Sequence, residues 1–423
     1  MIDVRRHGLF VRLFSSAILM QALLSAASLC VGLLLIRRTS DSEYGYYVLI
    51  TNAVLLISAL QGSYINPSLV RFLTDSGNDA VARGNFVGGM YREQRVLLTR
   101  LAFVLLAITS VLAALDVLGL HILMIVAAGT LAALFTLYRE FFRVVLLAYR
   151  RPNDVLRGDA LYALILVAGA FAATLSSAPA ALAATALALA AFLGGGQQQK
   201  YLARHEMWNA HAAPDVLKQI YKVGAWAMMG AAIHWAFAQG YNYLIAGTLS
   251  ITSVAAIAAT RTLIMPVNLV STGISSFMLP TVAAWLQRLS ATAVMKRMLL
   301  LALGLVLATS LYLLVVWLCR DWLFATVLKK HFDQQNLLLA LWCVVSIAML
   351  LRDQLMYIVV ARARFRVLSA LTLVCAVLSL SASYFAMRKL GEAGALYGLL
   401  LGEIASVATL IVLSLRETNT VIA

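Results

Sequence analysis

Residues 13–36 read LFSSAILMQALLSAASLCVGLLLI, an apolar run with no charged side chain between Arg12 and Arg37. A helix needs about 20 apolar residues to cross the hydrocarbon core of a bilayer, so this run is long enough to span it. Basic residues precede the run, but it is longer than the core of a signal peptide and no small-residue cleavage pattern follows it. We therefore expect a retained first membrane span.

The rest of the chain repeats this pattern. Of its 423 residues, 62% are hydrophobic and 12% are charged, and the mean hydropathy is +0.89. A soluble globular protein carries about 25% charged residues, so this chain has too few charges to cover a soluble surface. We predict an all-α polytopic membrane protein with about twelve transmembrane helices. The predicted spans are residues 13–36, 44–66, 98–118, 122–148, 157–176, 179–199, 223–247, 251–280, 298–319, 336–360, 367–387 and 394–415.

The basic residues predict the orientation of these spans. Of the 33 Lys and Arg residues, 25 are assigned to one side of the membrane, 7 to the other, and Arg261 stays inside a span. Cytoplasmic loops carry the excess of Lys and Arg, so both termini are predicted to be cytoplasmic. Because the positive residues follow the loops, the net charge of +15 favours contact with anionic membrane lipids over a nucleic-acid partner.

The polar segment 200–222 divides the predicted spans into two sets of six. We predict an N-terminal six-helix bundle at residues 1–212 and a C-terminal one at 213–423, with a central cavity between them. Each set opens with a span that carries spaced polar residues, among them Gln21 in the first span and Gln239 and Asn242 in the seventh. Parallel-repeat transporters have such a layout, and these three side chains are candidates for substrate binding.

Three segments carry a resemblance to a known family. Residues 37–49, RRTSDSEYGYYVL, join the first two spans, and Ser40 and Glu43 have the spacing of a capping box. With residues 138–164 and 241–280, this segment resembles the Wzx-type polysaccharide flippases. These belong to the MOP superfamily, together with the lipid II flippases and the MATE drug exporters. The second half departs from the pattern, because it reads Ser253-Val254-Ala255 in place of the usual acidic-Gly-Tyr turn.

The resemblance implies a multi-pass transporter of the bacterial inner membrane that works by alternating access. Its implied cargo is a polyprenyl-pyrophosphate-linked oligosaccharide, moved from the cytoplasmic to the outer leaflet for O-antigen or exopolysaccharide assembly. No cofactor is implied, although coupling to a proton or sodium gradient is a candidate. The implied partners are the lipid-linked glycan, membrane lipids and other polysaccharide-assembly proteins.

Two other functions stay open from the sequence. One is a cation-coupled multidrug exporter of the same superfamily, and the other is an integral-membrane polysaccharide polymerase or ligase. The sequence contains no HExxH, GxSxG or P-loop motif, so it predicts no catalytic residues. The four cysteines are Cys30, Cys319, Cys343 and Cys375. They lie too far apart in the sequence to predict a metal site or a disulfide.

Arg261 is the most informative charged residue, because it lies in the middle of an apolar run. A charge at membrane depth costs at least about 2.5–3.5 kcal/mol, so we expect it to face a wet cavity or a counter-charge. Glu403 and Asp353 are the predicted partners, and both are also candidates for coupling-ion binding. The resemblance implies that a cation in this span binds the pyrophosphate of the carrier lipid.

Arg139 and Arg143 are four residues apart and share a helix face. They either place their cations at the headgroup level, with Glu140 as a local partner, or form a basic mouth for a phosphate-bearing headgroup. We include both among the candidate substrate-binding residues. The run Gly194–Gln199, GGGQQQ, lacks the Lys of a phosphate-binding loop and is interpreted as the frayed end of the sixth span.

Overall fold

The computed structural model describes residues 4–75, 79–115, 119–205, 216–362 and 364–416, and within these ranges it contains helices and no β-strand. The helices are α1 (Val4–Arg38), α2 (Asp41–Asp75), α3 (Ala80–Ala114), α4 (Leu120–Ala148), α5 (Pro152–Ala173), α6 (Pro179–His205), α7 (Val216–Thr248), α8 (Ile251–Thr262), α9 (Met265–Arg288), α10 (Ala291–Leu318), α11 (Arg320–Trp322), α12 (Gln335–Ala361), α13 (Phe365–Leu390) and α14 (Glu392–Arg416). A π-helical segment, Leu323–Leu328, follows α11.

Among the described residues, ten helices are long and apolar enough to cross a membrane. The all-α polytopic class is therefore confirmed. The predicted spans 223–247 and 251–280 are not among these ten. The first lies within α7, where His234, Gln239 and Asn242 lower the hydropathy of an otherwise long helix.

The predicted span 251–280 is not one continuous helix, which corrects the sequence-based interpretation. It is divided into α8 and α9, and Pro266 lies in the first turn of α9. Proline has no N–H to donate and is best placed at the start of a helix, so the chain begins a new one there. At the break, the hydroxyl of Tyr312 donates to the carbonyl of Leu263 at 2.8 Å. This bond occupies an acceptor close to where the helical ladder is interrupted.

The polar stretch 67–97, which lies between the predicted spans 44–66 and 98–118, is mostly helical. Helix α2 continues through Pro67 to Asp75, and α3 already begins at Ala80. Each of these helices has 35 residues, which corresponds to roughly 50 Å and exceeds the hydrocarbon thickness. Polarity in this stretch therefore marks helix ends that extend beyond the hydrocarbon core, and not the absence of helix.

The chain consists of two compact units, Met1–Ala232 and Ile233–Ala423. In the described residues, unit 1 contains α1–α6 and the first half of α7, and unit 2 contains the second half of α7 and the helices after it. The boundary predicted between residues 212 and 213 lies outside the described residues and stays a prediction.

Glycines bring helices into close contact in both units. In α6, a Cβ at Gly195 would lie 2.8 Å from the ring of Tyr138, so this run packs tightly against α4 and is not a frayed end. In α14, Gly394, Gly398 and Gly402 are spaced by four residues, and each faces atoms of α13. Small residues at such positions let two membrane helices approach backbone to backbone.

Candidate substrate and ion sites

Arg261 lies in a polar and aromatic cage built from α7, α8 and α12 of unit 2. Its Nη1 donates to Gln239 Oε1 at 3.0 Å and to the hydroxyl of Tyr241 at 3.1 Å. The guanidinium stands 5.2 Å from the ring centroid of Trp342, a distance at which a cation is attracted to the aromatic face. Asn242 Nδ2 donates to the same Gln239 oxygen at 3.2 Å. The structure thus brings together three residues predicted from the sequence: Arg261, Gln239 and Asn242.

The aromatic side of the cage is buried and hydrogen-bonded. Tyr241 and Trp342 are each only 1% exposed, and the indole N–H of Trp342 donates to the carbonyl of Ile257 at 3.1 Å. Arg261 itself is partly exposed. Its Nε and Nη2 make no hydrogen bond to any described residue, and no described carboxylate pairs with it. The guanidinium therefore keeps one edge free for an acceptor.

The predicted pairing of Arg261 with Glu403 or Asp353 is wrong. Both carboxyl groups bind Arg352, which is 8% exposed inside α12. Arg352 Nη1 lies 2.6 Å from Glu403 Oε1, and its Nη2 lies 2.9 Å from Asp353 Oδ1. A buried arginine needs such partners more than a partly exposed one such as Arg261 does, because burial removes water from every donor.

One arginine therefore faces two carboxyl groups in this cluster, and the two differ in their surroundings. Asp353 also accepts a hydrogen bond from Ser271 at 3.2 Å. Glu403 is fully buried in α14, and its second oxygen, Oε2, has no hydrogen-bond partner among the described residues. A buried, unpartnered carboxylate oxygen is costly. It is a natural place for a proton or a cation.

Helices α7 and α12 contact both clusters of unit 2. Phe237 of α7 packs under the Arg352 guanidinium, 5.5 Å from ring centroid to carbon, while Gln239 and Tyr241 of the same helix bind Arg261. On α12, Trp342 belongs to the first cluster and Arg352 to the second. Ten residues correspond to about 15 Å along a helix. A shift of either helix would therefore move side chains in both clusters.

Unit 1 contains a third charged cluster, which involves the predicted residues Arg139 and Arg143. Arg139 Nη2 lies 2.6 Å from Asp159 Oδ1, and Arg143 Nε lies 3.2 Å from Asp159 Oδ2. Glu140 contacts the same two arginines at 2.9 and 3.4 Å. Gln198 of α6 donates to Asp159 at 3.1 Å. The geometry does not give the basic mouth considered from the sequence, because two carboxylates neutralise the two arginines.

Glu140 was predicted as a local partner of these arginines, and the structure shows the contact. Asp159 and Tyr162 were missed by the sequence reasoning. Asp159 is fully buried, and Arg139, 3% exposed, lies 3.9 Å above the ring of Tyr162. One signal could have found them: an arginine followed by an acidic residue inside a span occurs at Arg139-Glu140 and again at Arg352-Asp353. Each such charge needs a partner on another helix.

Gln21, the remaining predicted substrate-binding residue, lies in α1 of unit 1 with an exposed side chain. No hydrogen bond of this side chain occurs among the described residues. It is not brought into contact with Arg139 or Arg143 of the same unit, whose described partners lie in α4 and α5. Its assignment to a binding site stays a prediction.

The segment 37–49 has a structural role that the sequence predicted in part. The backbone N–H of Glu43 donates to Ser40 Oγ at 3.3 Å, as in a capping box. The Glu43 carboxylate does not complete that box. It accepts from the N–H of Ala180 at the start of α6, at 2.7 Å, and lies 2.6 Å from His121 of α4. The motif therefore ties the first turns of three helices together.

Comparison with solved structures identifies the fold. The chain resembles the inward-facing form of a multidrug resistance MATE family transporter of the MOP superfamily, with a TM-score of 0.73, 13% identity and 95% of each chain covered. The chain has the fold of a MOP superfamily transporter. A MOP superfamily transporter from Pyrococcus furiosus is similar at a TM-score of 0.67 and 12% identity, over 98% of this chain and 96% of that one.

A MATE transporter from Vibrio cholerae is similar at a TM-score of 0.64 and 14% identity, over 99% of both chains. No family model and no curated protein matches the sequence. At these identities the likeness identifies the fold alone and leaves the function open. The clusters described above must therefore supply the argument for function.

Proposed function

We propose that the chain is a flippase that translocates a polyprenyl-pyrophosphate-linked oligosaccharide from the cytoplasmic to the outer leaflet of the bacterial inner membrane. It would do so by alternating access, in O-antigen or exopolysaccharide assembly, with both termini cytoplasmic. The orientation rests on the 25-to-7 distribution of Lys and Arg between the two sides. Membrane lipids and other polysaccharide-assembly proteins are its proposed partners.

The observation that carries this proposal is the free edge of Arg261. A guanidinium offers donors in a planar fork that matches two oxygens of a phosphate. Gln239 and Tyr241 hold one side of this fork by neutral acceptors, and no described carboxylate cancels its charge. A pyrophosphate would supply the missing negative charge.

The Arg352 cluster is the proposed coupling site. Glu403 is paired through one oxygen only, and the cluster contains one more carboxyl group than arginine. Uptake of a proton or a sodium ion would remove this imbalance. Because α7 and α12 contact both clusters, a change at Glu403 would reach Arg261 through Phe237 and Trp342.

A cation-coupled multidrug exporter is the second candidate, favoured by the similarity to MATE multidrug transporters. A cationic drug would be repelled by an unpaired arginine, which is why we rank this function second. The similar Pyrococcus furiosus protein is itself described as having a binding pocket of reversed polarity that suggests a different function.

One substitution separates the two functions. Gln239→Glu places a carboxylate at the oxygen that now lies 3.0 Å from Arg261 Nη1, so an internal ion pair would replace the free positive charge. In proteoliposomes with purified lipid-linked oligosaccharide, we expect this variant to lose translocation, measured as accessibility of the glycan to an added lectin. Gln239→Ala leaves the charge free and should retain much of the translocation.

The matched control is Gln287→Glu, which adds the same charge at an exposed position of α9. It should translocate like the parent. An exporter of cationic drugs predicts the opposite sign, because Gln239→Glu should then preserve or raise drug transport. Full glycan translocation by Gln239→Glu would refute the role of Arg261 in binding the headgroup.

A further inference from the structure

The middle of α3 presents a basic and apolar face that the proposed transport cycle does not use. Seven side chains of this helix line an open groove of about 770 Å³. They are Arg92, Arg95, Val96, Thr99, Arg100, Phe103 and Val104. Their spacing of three and four residues places them on one side of the helix. We call this surface the α3 face.

The three arginines of the α3 face differ from those of the charged clusters. All three are exposed, and no carboxylate pairs with them in the part of the chain that the structure describes. By contrast, Arg139 and Arg352 each contact two carboxylates. The α3 face therefore concentrates positive charge that the protein itself does not neutralise.

The lower part of the α3 face is apolar. Phe103 is 75% exposed, and Val96 and Val104 are 44% and 52% exposed. All three arginines precede the uncharged run 101–115, which contains Phe103 and Val104. In a bilayer this order would place the arginines at the depth of the lipid headgroups and the two apolar side chains at that of the acyl chains. A ligand that fits this surface has an anionic head and a hydrocarbon tail.

A second groove lies beside the first and shares Arg95 and Thr99 with it. It has a volume of about 480 Å³ and runs between α3, α4 and α6. Its apolar wall consists of Leu98, Ala102, Leu134, Phe135, Phe141 and Phe192, and the polar side chains of Tyr91, Gln94, Tyr138 and Gln199 also line it. Two grooves, each with an apolar wall, therefore diverge from Arg95.

We propose that the α3 face binds an anionic glycerophospholipid of the bilayer. The phosphate lies among Arg92, Arg95 and Arg100, one acyl chain follows Val96 to Val104, and the other enters the neighbouring groove. Arginine suits phosphate oxygens because its N–H groups can bind them in pairs. Two diverging grooves with apolar walls match a lipid with two acyl chains, whereas free phosphate has no apolar part that could bind in either groove. This inference does not depend on the cargo that the protein transports.

Unit 2 provides a matched comparison. Lys296 of α10 lines a smaller groove of about 350 Å³. The apolar wall of this groove consists of Met295, Leu299, Leu300 and Leu303. This groove also combines a basic residue with an apolar wall, but it has one cation, whereas the α3 face has three. The proposal therefore predicts selectivity for anionic lipid at the α3 face and little at α10.

The test measures the affinity of the purified, delipidated full chain for phosphatidylglycerol and phosphatidylcholine, for example by native mass spectrometry, without any polyprenyl lipid. An interfacial arginine contributes about fivefold to the binding of anionic lipid, so R92Q/R95Q/R100Q should bind phosphatidylglycerol on the order of a hundredfold more weakly. Its affinity for phosphatidylcholine should stay near that of the parent. Lys296→Gln should leave phosphatidylglycerol binding within about twofold of the parent, well under the fivefold expected for one α3 arginine.

A second variant tests the apolar track with the charges intact. Phe103→Ser with Val104→Ser should weaken phosphatidylglycerol severalfold, and inorganic phosphate should not displace the lipid. Arg261→Gln should bind phosphatidylglycerol like the parent, which separates this site from the proposed cargo site. The proposal fails if the triple variant keeps the parent's affinity, if Lys296→Gln loses as much, or if inorganic phosphate competes.

Discussion

In unit 1, Arg139 and Arg143 face Asp159 and Glu140, and each of the four carboxylate oxygens binds an arginine. In unit 2, Arg352 alone faces Asp353 and Glu403, and one Glu403 oxygen has no partner. The two clusters begin from the same pattern, an arginine followed by an acidic residue inside a long helix. The unit 1 cluster has as many carboxylates as arginines, whereas the unit 2 cluster has one more carboxylate than arginine.

We infer from this difference that the unit 1 cluster is structural and that the Arg352 cluster has the proposed coupling role. A charge-balanced cluster in which every carboxylate oxygen binds an arginine gains nothing from a change of protonation, and removing one member leaves a buried charge uncompensated. An unbalanced cluster can take up a proton or a cation and release it again. We therefore expect unit 1 to respond to mutation through stability, and unit 2 to respond through transport.

Asp159→Asn should have the largest effect on stability. Asp159 is fully buried and binds both arginines and Gln198, so the variant leaves one positive charge in excess inside the helix bundle. The cost of breaking such a buried pair is about 3–5 kcal/mol. A large fall in the melting temperature of the detergent-solubilised protein, or a loss of folded protein on expression, would be the readout.

Asp154→Asn is the control for this substitution, because Asp154 lies on the same helix and only contacts Arg151 and Arg157 at 3.8 Å. Such loose contacts at the surface contribute little. If Asp159→Asn and Asp154→Asn have the same melting temperature, the balanced cluster is not what stabilises unit 1.

The sequence identifies charged residues in apolar helices, but it does not show which residues on other helices pair with them. Arg139 and Arg143 are recognisable as one helix face, yet Asp159 reaches them only because α5 packs beside α4. Arg261 and Glu403 looked complementary because both are charges in apolar runs. The tertiary contacts assign Glu403 to Arg352 across 51 residues of sequence. Periodicity predicts which residues lie on a helix, and it says nothing about which helices become neighbours.

The helix class, by contrast, followed directly from composition, because apolar runs of span length have few alternatives in a bilayer. The cage around Arg261 was also partly predictable, since Gln239 and Asn242 are polar residues in an apolar helix. Trp342 and Tyr241 were not, because an aromatic residue in a span gives no sign of what it contacts. The glycine run of α6 was misinterpreted as a frayed helix end because the sequence does not show that it packs against α4.

Gly195→Ala should have the next largest effect, and it tests whether close packing supports the unit 1 cluster. Its Cβ would meet the Tyr138 ring at 2.8 Å and the Cα of Arg139 at 3.0 Å, so the helices must separate. Overpacking of this kind costs about 1–3 kcal/mol. Gly196→Ala, with its nearest neighbour at 3.8 Å, is the matched control. It should melt like the parent or slightly above it, and equal losses in the two variants would argue against the contact.

Glu43→Ala should have a smaller effect, and it examines how the first turns of α2, α4 and α6 are held together in unit 1. Glu43 accepts from the N–H of Ala180, and losing a side-chain cap costs about 1 kcal/mol. Glu43→Gln keeps the acceptor and gives up only the ion pair with His121, whose side chain is 42% exposed. We expect the glutamine variant to melt close to the parent and the alanine variant lower. The reverse order would mean that the charge, and not the cap, matters.

Glu403→Gln should have the smallest effect on stability, because Arg352 remains paired with Asp353 and the amide oxygen can still accept from Arg352 Nη1. The change removes the excess negative charge, so we expect a shift within about 1 kcal/mol. Transport is where the variant should fail. Translocation driven by a proton or sodium gradient should be lost while binding of the lipid-linked oligosaccharide is retained, since Arg261 is untouched. Asp353→Asn tests whether the coupling role belongs to the pair or to Glu403 alone. The decisive comparison is with Asp159→Asn. If Glu403→Gln unfolds as readily as that variant and a folded fraction still transports under a gradient, the imbalance of the Arg352 cluster has no function and the two clusters serve the same structural purpose.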